Sequence, residues 1–204
     1  MKTTIGMRAA AALLALAAGG AQAQAVVGQP APAFSISDSQ GRTVSLTDFK
    51  GRHVVLEWVN PGCPFVQKHY DSGNLPGTQQ AARAQGVVWL TVSSTARSAS
   101  DWRAPAELEA WLKSRQAAHS ATLIDEEGRL GRAYGARTTP QLYLIDPAGK
   151  LLYAGAIDSR PTANPADIAT ATNYVKQALV EALAGRPVSH PTSTPYGCSI
   201  KYAG

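Results

Sequence analysis

Residues 53–70 read HVVLEWVNPGCPFVQKHY, a stretch that combines a β-rich run, a turn and the beginning of a helix. The run over residues 53–59 is dominated by valine, leucine and tryptophan, which predicts a strand buried in the middle of a sheet. A turn is predicted at Asn60-Pro61-Gly62, and Pro64 suits the first position of a helix because its missing N–H needs no partner there. The stretch therefore predicts a central strand that leads directly into a helix, with Cys63 at the junction.

Strands and helices alternate beyond this stretch. Further strands are predicted at residues 87–93, 121–125, 141–146 and 151–157, and helices at 78–84, from Pro105 onward, at 130–134 and at 165–183. The strands at 141–146 and 151–157 flank Pro147-Ala148-Gly149, which predicts a hairpin. Alternating strands and helices indicate parallel strands, and the final hairpin makes the predicted sheet mixed. We therefore predict an α/β domain with a central mixed β-sheet flanked by helices on both faces.

Another hairpin is predicted ahead of this sheet. Phe34 and Ile36 alternate with other residues before the turn Ser39-Gln40-Gly41, and Val44 and Leu46 do so after it. This alternation around a turn predicts an N-terminal β-hairpin extension.

The first 23 residues have the features of a secretory signal peptide. Lys2 and Arg8 precede a run of small and apolar residues, and the small residues that follow suit cleavage after Ala23 or Ala25. The run is shorter than the about 20 residues that a membrane-spanning helix needs. We therefore expect a signal peptide at 1–23, a domain at 24–185 and a C-terminal tail at 186–204. The mature protein is expected to be periplasmic or secreted, without stable membrane insertion.

Charge and composition exclude several classes of function. Loss of Lys2 and Arg8 with the signal peptide lowers the formal charge from +5 to +3, and the remaining basic residues, Lys68 among them, are scattered. Scattered basic residues indicate a solvated surface, so we expect no nucleic-acid partner. The four histidines lack the spacing of metal ligands, and no glycine-rich phosphate loop occurs. We therefore expect neither a metal nor an organic cofactor.

Cys63 is the candidate reactive group. A helix N-terminus offers unpaired N–H groups and a partial positive charge, and both favour the thiolate, which is the reactive form. The alternative is a buried and inert thiol, since free cysteine is among the most buried residue types. The position of Cys63 after Pro-Gly in a turn favours the reactive interpretation. His69 lies six positions further on, where a helix turns it away from Cys63, so we interpret it first as a surface residue and only second as a helper of Cys63.

Several segments carry a family resemblance. Residues 58–66, WVNPGCPFV, resemble the active-site segment of the thioredoxin superfamily, and the nearest branch is the redoxin group of alkyl hydroperoxide reductase/thiol-specific antioxidant proteins. Thr139-Pro140 resembles the cis-proline that lies against the active-site cysteine in that superfamily. Residues 144–158 resemble its closing hairpin, and YGCSIK at 196–201 resembles the ending of one set of redoxin-like proteins. The resemblance implies a thioredoxin-like fold, with Asn60, Pro61, Thr139 and Pro140 as substrate-binding residues.

Two departures from the family patterns leave the function open. Disulfide reductases of the superfamily carry Cys-x-x-Cys, but Val66 stands at the second cysteine position. Peroxiredoxins carry threonine three positions and proline seven positions before the reactive cysteine, but Asn60 and Leu56 stand there. We favour a thiol-disulfide oxidoreductase or antioxidant protein that reacts with a protein thiol or disulfide. The alternatives are a peroxidase that acts on a hydroperoxide, and a binding module without turnover.

Cys198 is the candidate second thiol, and it lies in a tail for which no secondary structure is predicted. A single nucleophilic thiol forms a mixed disulfide or a sulfenic acid and needs a second thiol to resolve it. Gly197 adds freedom to the tail, so a reversible Cys63–Cys198 disulfide is one alternative. A fixed structural bridge, with a stabilisation of about 4–5 kcal/mol from loop closure, is another, and no pairing at all is the third.

Glu57 has two interpretations because a carboxylate is unusual in an apolar strand. It is either a buried proton relay beside the cysteine or a solvated residue at a sheet edge. The remaining polar candidates, Asp158 and Arg160, lie either at the rim of the site or in a turn after the last strand, and we favour the turn. Trp58 is predicted to lie in the core.

Overall fold

A computed structural model describes residues 24–204, which fold around a five-stranded sheet. The strands are β1 (Ser35–Ser37), β2 (Thr43–Ser45), β3 (Val54–Trp58), β4 (Val88–Ser93), β5 (Ala121–Ile124), β6 (Thr138–Thr139), β7 (Gln141–Ile145), β8 (Leu151–Gly155) and β9 (Cys198–Ser199). The helices are α1 (Pro64–Asp71), α2 (Asn74–Ala84), α3 (Pro105–Ser114), α4 (Arg129–Tyr134) and α5 (Tyr174–Leu183).

The central sheet has the strand order β5-β4-β3-β7-β8. Strands β3, β4 and β5 run parallel, whereas β7 is antiparallel to β3 and β8 is antiparallel to β7. Outside this sheet, β1 pairs with β2 as the predicted N-terminal hairpin, and Ile36 stands opposite Val44. The α/β class and the mixed sheet predicted from the sequence are therefore confirmed.

Side chains of β3 alternate between two hydrophobic clusters, one on each face of the sheet. Val55 packs with residues of α1, α2, α3 and α5, whereas Leu56 and Trp58 pack with residues of α4 and of the N-terminal segment. This alternation follows from the period of two along a strand. Helices therefore cover both faces, as predicted, and Trp58 lies in the core.

Two helix boundaries differ from those predicted. Helix α2 begins at Asn74 rather than at residue 78, although Pro76 and Gly77 follow within its first turn. The predicted helix at 165–183 is divided into a 3₁₀ helix, Pro165–Thr170, and α5. The division occurs because the Asn173 side chain accepts the backbone N–H of Lys176 and so caps a new helix.

The expectation of a tail without secondary structure is wrong. Strand β9 lies in the tail and pairs antiparallel with β6, so that Cys198 stands opposite Thr139. The predicted signal peptide at 1–23 lies outside the described residues. Within residues 24–204, no helix has the length and apolar character needed to cross a bilayer.

Candidate active site

Cys63 lies at the N-cap of α1, directly after the turn that ends β3. Its carbonyl oxygen accepts the backbone N–H groups of Val66 and Gln67 at 3.0 and 2.9 Å. Pro64 takes the first helical position, as its fixed φ and missing N–H favour. The Cys63 sulfur therefore stands at a helix N-terminus, where the backbone dipoles favour a thiolate whenever the residue is reduced.

A disulfide joins Cys63 to Cys198, with 5.8 Å between the Cα atoms. This pairing is one of the arrangements considered from the sequence, and it connects residues 135 positions apart. Cys63 is only 1% exposed, whereas Cys198 is half-buried. These exposures describe the oxidised protein, in which the two sulfur atoms are bonded to each other.

Thr139 and Pro140 lie against this disulfide. The peptide bond between them is cis, and the Thr139 carbonyl oxygen is 3.1 Å from Cys63 Sγ. In the reduced protein the Cys63 thiol is placed to donate a hydrogen bond to this oxygen. Both residues are buried, and β9 covers the edge of β6 to which Thr139 belongs. The structure therefore brings together Cys63, Cys198, Thr139 and Pro140, which are four of the six site residues predicted from the sequence.

Asn60 holds the turn that presents Cys63. Its side-chain oxygen accepts the Gly62 N–H at 2.8 Å, and its side-chain nitrogen donates to Thr95 Oγ1 at 3.2 Å and to Asp101 Oδ2 at 3.0 Å. Both amide protons and the amide oxygen of Asn60 are thus engaged within the protein. The neighbouring Pro61 is buried, and its carbonyl oxygen accepts from the Gln67 side chain at 2.8 Å.

Asp101 connects this turn to the tail. Its Oδ2 accepts a hydrogen bond from Lys201 Nζ at 2.6 Å, and the Lys201 carbonyl oxygen accepts the Ala96 N–H at 2.8 Å. Burial raises the pKa of Asp101, but the hydrogen bond and charge of Lys201 outweigh it, so this pKa lies below its usual value. Neither Asp101 nor Lys201 was found by sequence reasoning, since nothing in their local patterns indicates that they meet.

Lys68 and His69 are buried, so the interpretation of both as surface residues is wrong. Both side chains lie beneath the tail near Asp158, with Lys68 Nζ at 3.9 Å and His69 Nε2 at 3.8 Å from Asp158 Oδ2. Burial lowers the pKa of His69 to about 4, against the raising effect of the Asp158 charge. His69 is therefore neutral at pH 7, and Lys68 and Asp158 form a buried pair of opposite charges.

Asp158, for which the sequence favours the turn over the rim of the site, also belongs to this cluster. It is buried, and its Oδ1 accepts the Arg160 N–H at 2.9 Å and the hydroxyl of Tyr196 at 2.5 Å. Burial, together with the hydrogen bond to Asp158, raises the pKa of Tyr196. No local sequence pattern indicates this contact, because it joins residues 38 positions apart.

Glu57 is fully buried, which excludes the solvated alternative. Its carboxylate accepts hydrogen bonds from the Tyr70 hydroxyl at 2.7 Å, the Gln79 amide at 2.9 Å and the Trp89 indole at 2.7 Å. Burial raises the pKa of Glu57, and these three donors only partly oppose that effect. None of its hydrogen bonds leads to Cys63, so a relay from Glu57 has no hydrogen-bonded path among residues 24–204.

The chain is similar to one protein family, over a sequence range that holds Cys63, and to thiol-disulfide oxidoreductases. A family model for the AhpC/TSA family matches residues 27–154, more than half of the chain. Thiol-disulfide oxidoreductase ResA of Bacillus thuringiensis subsp. konkukian is 24% identical over 126 residues, which are 62% of this chain and 67% of that protein.

Solved structures show the same fold. A hypothetical protein from Sinorhizobium meliloti 1021 is 24% identical, with a TM-score of 0.73 that covers 88% of this chain and 96% of the other. The thioredoxin domain of a thiol-disulfide oxidoreductase from Bacteroides vulgatus is also 24% identical, with a TM-score of 0.51, covering 71% and 96%. These similarities confirm the predicted thioredoxin-like fold.

Proposed function

The chain belongs to the AhpC/TSA family of thiol-based oxidoreductases, and we propose that it is an exported thiol-disulfide oxidoreductase with Cys63 as its nucleophile and Cys198 as its resolving thiol. The observation that carries this proposal is the Cys63–Cys198 disulfide at the N-terminus of α1, beside cis-Pro140. A chain without Cys-x-x-Cys needs a second thiol from elsewhere, and the tail supplies it.

The proposed reduction of a substrate disulfide has two exchange steps. The Cys63 thiolate attacks one substrate sulfur, forms a mixed disulfide and releases the first substrate thiolate, which takes up a proton. The Cys198 thiolate then attacks Cys63 Sγ, releases the second substrate thiolate and forms the Cys63–Cys198 bond. The substrate gains two electrons and the protein loses two, so a dithiol reductant must restore the reduced state. The same steps in reverse oxidise a substrate dithiol.

A protein disulfide fits this site better than a hydroperoxide does. Peroxide reduction needs a donor beside the attacking sulfur, but both amide protons of Asn60 already bind Thr95 and Asp101. The pairing of β9 with β6 supports this preference, because it places extended backbone directly beside the disulfide. We therefore assign Asn60 and Pro61 to the shape of the substrate-binding turn, and Thr139 and Pro140 to its opposite wall.

Export is proposed on the residues at the start of the chain. The basic start, the short apolar run and the small residues before Ala25 form a secretory signal. An oxidising compartment outside the cytoplasm also suits a protein whose two cysteines are disulfide-bonded.

Trapping of the mixed disulfide tests the assignment. Reduced Cys198→Ser protein is mixed with a protein disulfide such as insulin, and Cys63→Ser serves as the matched control. We expect Cys198→Ser to accumulate a covalent complex that reductant dissolves, and Cys63→Ser to form none. Wild-type protein is expected to reduce the substrate without accumulating the complex.

The alternatives give different results. A wild-type disulfide that resists a dithiol reductant under native conditions would identify the static bridge of a binding module. Oxidation of reduced Cys63 by hydrogen peroxide faster than by the protein disulfide would identify a peroxidase. Equal trapping by both serine variants would refute the assignment of Cys63 as the nucleophile.

A further inference from the structure

Tyr196, two residues before Cys198, reaches into a buried polar cluster that the disulfide itself does not use. Its hydroxyl donates to Asp158 Oδ1 at 2.5 Å and lies 3.1 Å from His69 Nε2. His69 Nδ1 in turn lies 2.9 Å from the side-chain nitrogen of Asn74. One assignment of protons satisfies every contact: Asn74 donates to His69, His69 to Tyr196, and Tyr196 to Asp158.

Part of the cluster lies on the helix that presents Cys63. Lys68 and His69 lie on α1, whose N-cap is Cys63, and the Phe65 ring of the same helix contacts the Tyr196 ring at 5.8 Å between centroids. Lys68 Nζ lies 6.0 Å from the centroid of that ring. Tyr196 therefore connects the tail both to the eight-residue helix that carries the nucleophile and to Asp158, which follows β8.

We propose that Tyr196 is a positioning residue for the redox cycle, because its hydroxyl holds the reduced tail so that Cys198 stays within reach of Cys63. This inference rests on the proposed function, in which the two thiols form and break their bond in each cycle. Reduction by a dithiol adds two electrons and two protons and leaves two thiols in place of the covalent link. The contacts of Tyr196 then decide how high the effective concentration of Cys198 beside Cys63 remains.

The anchor on the other side of Cys198 is weaker. Lys201 pairs with Asp101, but its side chain is 51% exposed, and solvent screens exposed ion pairs. The hydrogen-bond partners of Tyr196, Asp158 and His69, are buried. Water therefore does not compete for these hydrogen bonds while the tail is docked. Tyr196 is therefore expected to contribute more to positioning than Lys201 does.

The reduction potential of the Cys63–Cys198 pair tests this inference. Wild type, Tyr196→Phe and Tyr134→Phe are equilibrated in glutathione or dithiothreitol buffers, and the oxidised fraction is measured by alkylation and mass spectrometry. Tyr134→Phe is the matched control, because it also removes a tyrosine hydroxyl whose hydrogen bond, to Pro32 O at 2.8 Å, lies on the other face of the sheet. Thermal unfolding of each variant verifies that it folds.

We expect Tyr196→Phe to lower the equilibrium constant for disulfide formation about tenfold, which makes the potential about 30 mV less negative. Tyr134→Phe is expected to keep the wild-type potential even where its melting temperature falls. Asp158→Asn weakens the same hydrogen bond from the acceptor side, and its potential is expected to shift in the same direction.

Three results would overturn the inference. A potential of Tyr196→Phe equal to that of wild type would show that the hydroxyl is merely structural, while the proposed function would stand. A shift of the reduction potential in Tyr134→Phe as large as that in Tyr196→Phe would show that the effect comes from general destabilisation. A wild-type pair that does not titrate with any thiol buffer would refute the proposed function itself, and the inference with it.

Discussion

Reduction of the Cys63–Cys198 disulfide should lower the melting temperature of the folded protein strongly. The covalent link closes a loop of 135 positions, which restricts the unfolded chain far more than the folded one. In the chain-entropy model, a loop of this length stabilises the folded state by about 5 kcal/mol. For a chain of this size, each kcal/mol shifts the melting temperature by about 2–4 °C, so the expected fall is about 10–20 °C.

Thermal unfolding followed by circular dichroism, with and without a reductant, measures this fall. Cys198→Ser is the control: it should melt near the temperature of reduced wild type, and the reductant should not lower that temperature further. Alkylation before the scan verifies that both thiols of wild type are free. A fall of less than about 5 °C in fully reduced protein would refute the loop-closure reasoning, since it corresponds to roughly 1–2 kcal/mol.

Two further predictions follow from close packing and from burial of charge. Gly197 has a φ of +126°, and a Cβ there would overlap the Thr139 carbonyl oxygen. Gly197→Ala should therefore lower the oxidised fraction in a glutathione buffer at least tenfold, whereas Gly77→Ala, where a Cβ meets nothing within 4 Å, should leave it unchanged. Burial raises the pKa of Glu57 in the folded chain, so stability from its protonated form is lost as pH rises through that pKa. The variant Glu57→Gln never ionises, so it should not lose this stability. The difference between its melting temperature and that of wild type should therefore increase from about pH 4 to about pH 8. A difference that stays constant would contradict the view that the folded protein favours an uncharged Glu57.

Local sequence patterns were sufficient for the elements that surround Cys63. The strand β3, the turn at residues 60–62 and the helix α1 depend on side-chain alternation, proline and glycine within about 20 neighbouring residues. Such signals act through the backbone preferences of each residue, so they survive without knowledge of the rest of the chain. For the same reason the alternation of strands and helices predicted the mixed sheet.

Burial of charged side chains could not be predicted in this way. Lys68 and His69 follow Cys63 in a helix, and both are buried among residues that lie far away in the sequence, Asp158 and Tyr196. Glu57 lies in an apolar strand, and its three hydrogen-bond donors come from α1, α2 and β4. Whether a polar group finds buried partners depends on which distant elements meet, and local propensity carries no record of that.

The sequence by itself determined the thioredoxin-like architecture and the place of Cys63 at the start of a helix. Only the tertiary structure decided that Cys198 bonds to it, that the tail forms β9 and that Tyr196 donates a hydrogen bond to the buried Asp158. A strand of two residues is too short to have a pattern of its own, and it exists because the edge of β6 supplies its hydrogen-bond partners. Contacts between residues far apart in the chain are selected by the packing of the whole domain, which no local stretch encodes.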